Sequence, residues 1–249
     1  MSAPAFLDTL GQSDLEALAG QWKVRSYRRD ELIIAHGEGD REVFFVLAGS
    51  ARVTLFSVSG KEVAYRAIHR GDIFGELAAI DGKARSASVI AMEPTRAAIL
   101  APEAFRSLLN SHPSLGWALL VHLSGVVRRM TERVYEFSTL VVRERVICEL
   151  LRRADEAGAR RGAEAVIPAP RQLELAAAIS THREAVSREM SLLSKKGLIQ
   201  RRGDELLLND LVALQALTGR HDIDEPGRTG ISAASNRIAD RRVHPLHGR

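Results

Sequence analysis

The sequence carries one cysteine in 249 residues, Cys148, so it can form neither an internal disulfide nor a cysteine-based metal site alone. That scarcity fits a reducing cytoplasm. No apolar run is long enough for a bilayer, and the start MSAPAFLDTL lacks a basic segment followed by an apolar one. A secreted or membrane-spanning product is therefore disfavoured. There is no phosphate-binding P-loop, no Gly-x-Ser-x-Gly and no His-Glu-x-x-His. His36, His69, His112 and His122 stand singly, and a lone histidine is far more often structural than catalytic. An enzyme is disfavoured too, and no internal repeat is present. The net charge of +4 permits a polyanionic partner without requiring one.

What is present divides into three textures. Ser13-Asp14-Leu15-Glu16 has the form of a capping box with Ser13 as N-cap, which predicts a short helix through Leu18. From about Val24 to Leu100 the chain consists of short β-rich pieces, such as Val43–Leu47, Ala51–Phe56 and Glu62–Arg66. Turn signals punctuate them at Gly37, Gly39-Asp40, Gly49, Gly60, Gly71-Asp72 and Asp81-Gly82, which predicts an antiparallel barrel or sandwich. From Pro102 the pattern turns helical. Leu120, Val127, Val134 and Val141 fall on a positions of a heptad, and Leu123, Met130 and Phe137 on d positions. Valine at a with leucine-like residues at d favours a parallel two-stranded coil, hence a homodimer. A second helix is expected from about Leu140 to Ala154, followed by a polar loop, 156–165, and the breaks at Pro168 and Pro170.

The densest chemical signal is Phe74-Gly75-Glu76-Leu77-Ala78-Ala79-Ile80-Asp81-Gly82-Lys83-Ala84-Arg85-Ser86-Ala87. Gly75 lets backbone approach a ligand, and Leu77–Ile80 can form a helical turn whose amides face an anion. Glu76 offers a carboxylate to a sugar hydroxyl. Arg85 offers a permanently charged fork for phosphate oxygens, and Ser86 one further donor. This stretch resembles the phosphate-binding cassette of cyclic-nucleotide-binding domains, in the form found in the cAMP receptor protein/FNR family. The resemblance implies that Glu76 accepts from a ribose 2′-hydroxyl. It also implies that Arg85, Ser86 and the backbone of Gly75 and Leu77 hold a cyclic phosphate. Where cAMP-responsive relatives present Thr-Ser from the dimer helix to adenine, this chain has Met130-Thr131. Thr131 keeps a hydroxyl for a purine edge, while Met130 can neither donate nor accept usefully. cAMP is favoured over cGMP, with another effector left open.

Further on, Gln172–Ala178 reads as a short helix and Ile179-Ser180 as a tight connection. Thr181 is the expected N-cap of a second helix from His182 to about Lys195. Leu175, Ile179, Val186, Met190 and Leu193 would knit the pair together. Arg183, Glu184, Ser187 and Arg188 leave that stripe near the helix start, where helix-turn-helix proteins read base edges. Six Lys/Arg against two Glu between Thr181 and Arg202 suit phosphates. Arg201-Arg202 then lead into a wing hairpin turning at Gly203-Asp204.

Thr181–Arg188 is similar to the same family's recognition helix, which implies guanine contacts for Arg183 and Arg188 and a cytosine contact for Glu184. Thr181, His182, Ser187, Lys195 and Arg201 would support binding, and the implied half-site is of the TGTGA type. His182 departs from the family's serine and puts one phosphate contact in doubt. The resemblance spans roughly Leu15 to Asp210.

The expected fold is α+β in four parts. These are a cyclic-nucleotide-binding β-roll (1–112), a dimerisation helix (113–138), a winged helix-turn-helix (139–217) and a basic tail (218–249) expected to be mostly disordered. The tail carries six arginines against four acids. The implied partners are double-stranded DNA, a second copy and RNA polymerase, in the cytoplasm. A cyclic-nucleotide module serving a kinase or channel is excluded by the winged helix. An iron-sulfur sensor needs about four cysteines, and a haem sensor is disfavoured by the complete Glu76/Arg85/Ser86 set.

Overall fold

The computed structural model describes residues 5–57 and 62–218. The expectation of disorder in the tail falls, from residue 219 on, outside the described residues.

Short strands at turn-limited spacing fold into two facing antiparallel sheets. Their strands are β1 (Lys23–Tyr27), β2 (Leu32–Ile34), β3 (Val43–Ala48), β4 (Ser50–Phe56), β5 (Glu62–His69), β6 (Ile73–Phe74), β7 (Ser88–Ala91) and β8 (Thr95–Leu100). One sheet has the order β1-β8-β3-β6 and the other β2-β7-β4-β5. Val43 to Val46 are all buried rather than alternating, because both faces of β3 are covered. Phe44 and Val46 point into the roll with Ile68, Phe74 and Val89. Val43 and Phe45 point to an outer layer of helices and pack on Phe6, Leu18, Phe105, Leu115 and Leu119. Burying each large side chain of this kind contributes roughly 1.5–3 kcal/mol.

That outer layer contains α1 (Gln12–Ala19), α3 (Pro102–Ser111) and the start of α4 (Pro113–Thr139), while α2 (Glu76–Asp81) sits inside the β-domain. The expected capping box at Ser13 is corrected. Gly11 is the N-cap, with no side-chain cap, and Glu16 is engaged by the Gln12 amide at 2.7 Å.

Beyond α4 come α5 (Val142–Glu156), α6 (Gln172–Ala178), α7 (Arg183–Lys195) and α8 (Leu211–Ala216). They enclose one core built on Val146, Ile147, Leu150, Leu175, Ile179, Val186 and Leu193. Met190 is only partly buried at its edge. The expected second helix is displaced by two residues at each end, because Glu144 accepts from the Val141 amide at 2.9 Å and so fixes the start. The polar loop after it holds a small hairpin that its composition did not announce, β9 (Arg160–Arg161) with β10 (Glu164–Pro168). The wing is present as β11 (Ile199–Arg202) paired with β12 (Glu205–Leu208). Gly203, at φ 61°, supplies the positive dihedral its turn requires. Among the described residues no helix is long and apolar enough to cross a membrane.

Candidate functional site

Gly75 stands in the left-handed region at φ 80°, between β6 and α2. A Cβ there would lie 2.8 Å from Arg85 Nη1 and 2.9 Å from Glu42 O, so only glycine lets the turn close over that guanidinium. Arg85 is almost fully buried. Its Nε and Nη2 donate to the two carboxylate oxygens of Asp40 at 3.1 and 2.7 Å. Nη1 donates to Gly75 O at 2.9 Å, and Nη2 also reaches Glu42 O at 2.9 Å. Four of its five N–H donors are thus engaged, one short of the inventory of a guanidinium. Glu76 is buried beside it, and burial pushes its carboxyl above the usual range. Its own backbone amide, Arg66 and Arg85 pull the other way.

The sequence-predicted residues therefore separate. Gly75, Glu76 and Arg85 converge, Leu77 lies on the exposed side of α2, and Ser86 is exposed. Thr131 is on the exposed face of α4, with its hydroxyl donating to Val127 O at 3.1 Å. Asp40 was missed as a member of the site. Gly39-Asp40 announced a turn, but nothing local showed that its carboxylate meets a residue 45 positions on.

The second constellation is α6 and α7. Ser180 takes a left-handed φ of 53° between them. The N-cap of α7 is His182, not Thr181, and the helix starts at Arg183. The reason is that the Thr181 amide turns back to Ala176 O at 2.9 Å, which closes α6 instead. Arg183, Glu184, Arg188 and Lys195 are exposed and, with the half-buried Ser187 and with Gln172, line an open groove of about 590 Å³. His182 is exposed and Thr181 half-buried, and Arg201 lies on the exposed wing with its Nε donating to Gly203 O at 3.0 Å. Guanidinium, carboxylate and hydroxyl groups on a bare helix start can do one thing well, which is to hydrogen-bond base edges and phosphates.

Residues 24–112 match the cyclic nucleotide-binding domain family, and residues 144–217 match the Crp-like helix-turn-helix domain family. The chain belongs to the Crp/Fnr family of transcription regulators. It is 26% identical, over 80% of its length and 89% of the relative's, to the CRP-like cAMP-activated global transcriptional regulator of Mycobacterium tuberculosis. It is 24% identical to the cAMP-activated global transcriptional regulator CRP of Escherichia coli, over 78% of this chain and 93% of that one. A solved CRP-family transcriptional regulator from Thermus thermophilus superposes with a TM-score of 0.66 at 28% identity, covering 78% of this chain and 96% of that one. These relatives are transcription regulators rather than enzymes.

In this Crp/Fnr chain α4 has two unlike faces. Leu120, Val127 and Val134, the a positions that lie on α4, are each more than half exposed, and Trp117 and Val121 extend the same apolar stripe. The expected fourth a position is corrected, because α4 ends at Thr139 and Val141 is the N-cap of α5. The d positions are half-buried by their own chain. Leu123 packs on the β-domain core, and Phe137 lies under the guanidiniums of Arg133 and Arg145, each 5.9 Å from its ring centre.

The opposite face is charged and folds against α5. Arg152 donates to both oxygens of Glu136 at 2.8 and 2.9 Å and also contacts Glu149. Arg153 and Arg133 reach Glu149 as well, at 3.0 and 3.4 Å. Arg133 Nη1 donates to Ala178 O at 2.6 Å, and Arg145 Nη1 to Ile179 O at 3.0 Å, so two cations sit at the C-terminal carbonyls of α6. The helix that carries the apolar stripe thereby also grips the first helix of the helix-turn-helix.

Proposed function

We propose that this Crp/Fnr regulator binds a cyclic nucleotide, cAMP in preference to cGMP, in the 1–112 domain. In that state it binds palindromic TGTGA-like sites as a homodimer joined along 113–138. The observation that carries the reading is the convergence of Gly75, Glu76 and Arg85 in one chain with an exposed Arg183/Glu184/Arg188 set on α7. Thr131 and the cAMP-activated relatives support cAMP. Ser86 and Leu77 would close on the phosphate through a hydroxyl and a backbone amide. Thr181, His182, Ser187, Lys195 and Arg201 would hold DNA phosphates, and RNA polymerase would be met in the cytoplasm as the further partner. A second reading, a regulator that answers to another effector or to none, is favoured by one contact: Asp40 already neutralises Arg85. A gel-shift titration on a TGTGA-type palindrome separates the two. cAMP should strengthen binding more than cGMP, and binding indifferent to both would select the second reading.

Two outcomes follow for the interfaces. Val127→Lys with Val134→Lys would set four like charges on a two-stranded seam, so sedimentation should show a monomer. An unchanged mass would place the interface elsewhere. Glu184→Ala should relax base preference at one symmetric pair of positions, since one bidentate or accepting contact carries about 1–3 kcal/mol of discrimination. Binding-site selection at fixed salt measures this, and a half-site unchanged at every position would remove Glu184 from base reading.

A further inference from the structure

Arginines in the interior of this protein are paired with carboxylates almost wherever they occur. Arg85 has Asp40, Arg133 and Arg153 have Glu149, and Arg152 has Glu136. Three half-buried arginines depart from that rule: Arg145, which donates to the Ile179 carbonyl at the end of α6, and Arg66 on β5 and Arg129 on α4. Among the described residues neither Arg66 nor Arg129 has a carboxylate within the 4.0 Å of an ion pair. A neutral base meets Arg66 and shares a face of α4 with Arg129, two turns away. Arg66 Nη2 approaches His122 Nε2 at 3.4 Å and Ile73 O at 3.4 Å. His122 is wedged edge-on against Phe6. Burial first, then Arg66 and Arg129, pull its pKa down to about 4, so it adds no charge of its own at neutral pH. Arg129 reaches this place because Gly125 leaves the α4 surface bare one turn earlier, where a Cβ would stand 3.3 Å from Arg129 Nη1. The acids that influence Arg129 (Asp72, Glu156 and Glu132) do so from beyond contact range. Two guanidiniums therefore cluster about one imidazole, and among the described residues neither is held in an ion pair. Ile73, whose carbonyl Arg66 approaches, lies two residues before Gly75, which sets Arg66 beside the cassette, and Arg66 also pulls on the Glu76 carboxyl.

We propose that Arg66 and Arg129, with His122 beside them, form a second phosphate seat next to the Gly75/Glu76/Arg85 cassette. The seat holds a phosphate other than the cyclic phosphate at Arg85. That phosphate is either the second one of a two-phosphate nucleotide or a free phosphate bound alongside a cyclic mononucleotide. The inference rests on the cassette reading above for the first phosphate. Charge-assisted, forked N–H···O contacts are about twice as strong as neutral ones, and burial strengthens them further.

The test is calorimetry on the full chain at matched ionic strength. The probes are cAMP alone, cAMP with millimolar inorganic phosphate, inorganic phosphate alone, and cyclic di-AMP. One of two gains is expected: phosphate tightens cAMP binding, or cyclic di-AMP binds better than cAMP, in either case by about tenfold. Which gain appears identifies the source. Arg66→Gln and Arg129→Gln should reduce it to about twofold or less while cAMP alone binds nearly as before, and Arg129→Lys, which keeps the charge, should retain part of it. The seat is overturned if neither gain occurs in wild type, or if the gain persists in both Gln variants. Failure of cAMP to bind at all would sink the cassette reading alone. The seat would then stand or fall on whether inorganic phosphate by itself binds wild type and not the Gln variants.

Discussion

Glu149→Gln is expected to lower the melting temperature by about 10 °C, the equivalent of roughly 3–5 kcal/mol in a folded unit of this size. Glu149 is 5% exposed and is met by Arg133, Arg152 and Arg153 at once. Neutralising it strands guanidiniums that have already lost their water, and among the described residues only Arg152 of the three keeps another carboxylate in ion-pair range, Glu136. Its own protonation carries the same information. Burial alone would raise its pKa, but Arg152, Arg153 and Arg133 together outweigh burial and hold it below the ordinary 4.5. A carboxylate depressed in the folded state stabilises the protein fully above its unfolded pKa, and that contribution is lost as pH falls through the folded value. Wild type should therefore lose stability on acidification below about pH 4.5, and Glu149→Gln should have a shallower acid limb. Thermal melts between pH 7 and pH 3 measure both. An unchanged melting temperature in the mutant would mean that the α4–α5 contact opens freely in solution.

That network also marks where the sequence stops being readable. The seven-residue spacing of Leu120, Val127, Val134 and Val141 announces an apolar stripe, and the structure leaves the first three exposed on α4 while Val141 falls past its end, at the start of α5. The reverse face was illegible for a physical reason. Arg133, Glu136, Glu149 and Arg152 look like the solvated surface of two helices, and only folding α5 back along α4 makes them a buried layer. Helix starts were misplaced at Ser13 and Thr181 because a capping residue type is a necessary signal and not a sufficient one. At the first the Glu16 carboxylate takes the Gln12 side chain instead, and at the second the Thr181 amide turns back to Ala176 O. The cassette was legible because Gly75, Glu76 and Arg85 are close in sequence and chemically unusual together. Its counter-ion was not, since Asp40 is an ordinary turn residue until the loop from β2 to β3 brings it onto Arg85. Arg66 and His122 escaped for the same reason, lying 56 residues apart on a strand and a helix.

Arg85→Leu and Asp40→Asn are expected to move effector binding in opposite directions. In wild type the Arg85 guanidinium is 2% exposed, and the Asp40 carboxylate, at 42%, still touches solvent. An arriving cyclic phosphate competes with that carboxylate for the same forked donors, so part of its binding energy goes into displacing Asp40. Leucine removes the fork. The phosphate then faces an apolar group, and the melting shift that cAMP produces by binding the native state should all but vanish. Basal stability should fall as well, by about 1–3 kcal/mol, because the carbonyls of Gly75 and Glu42 lose a charged donor.

Asparagine at 40 keeps the shape of the loop and one acceptor while removing the competing charge. Arg85 is buried and has no other carboxylate within ion-pair range among the described residues, so losing the Asp40 charge should cost about 1–3 kcal/mol of basal stability. cAMP affinity should rise by about tenfold, since charge-assisted bonds are roughly twice as strong as the neutral ones that replace them at Asp40. Calorimetric titration of cAMP into wild type and both variants decides it. Weaker binding in Asp40→Asn would show that the carboxylate holds Arg85 in place for the phosphate rather than contending with it. Wild-type affinity in Arg85→Leu would take the cyclic phosphate away from this cassette altogether.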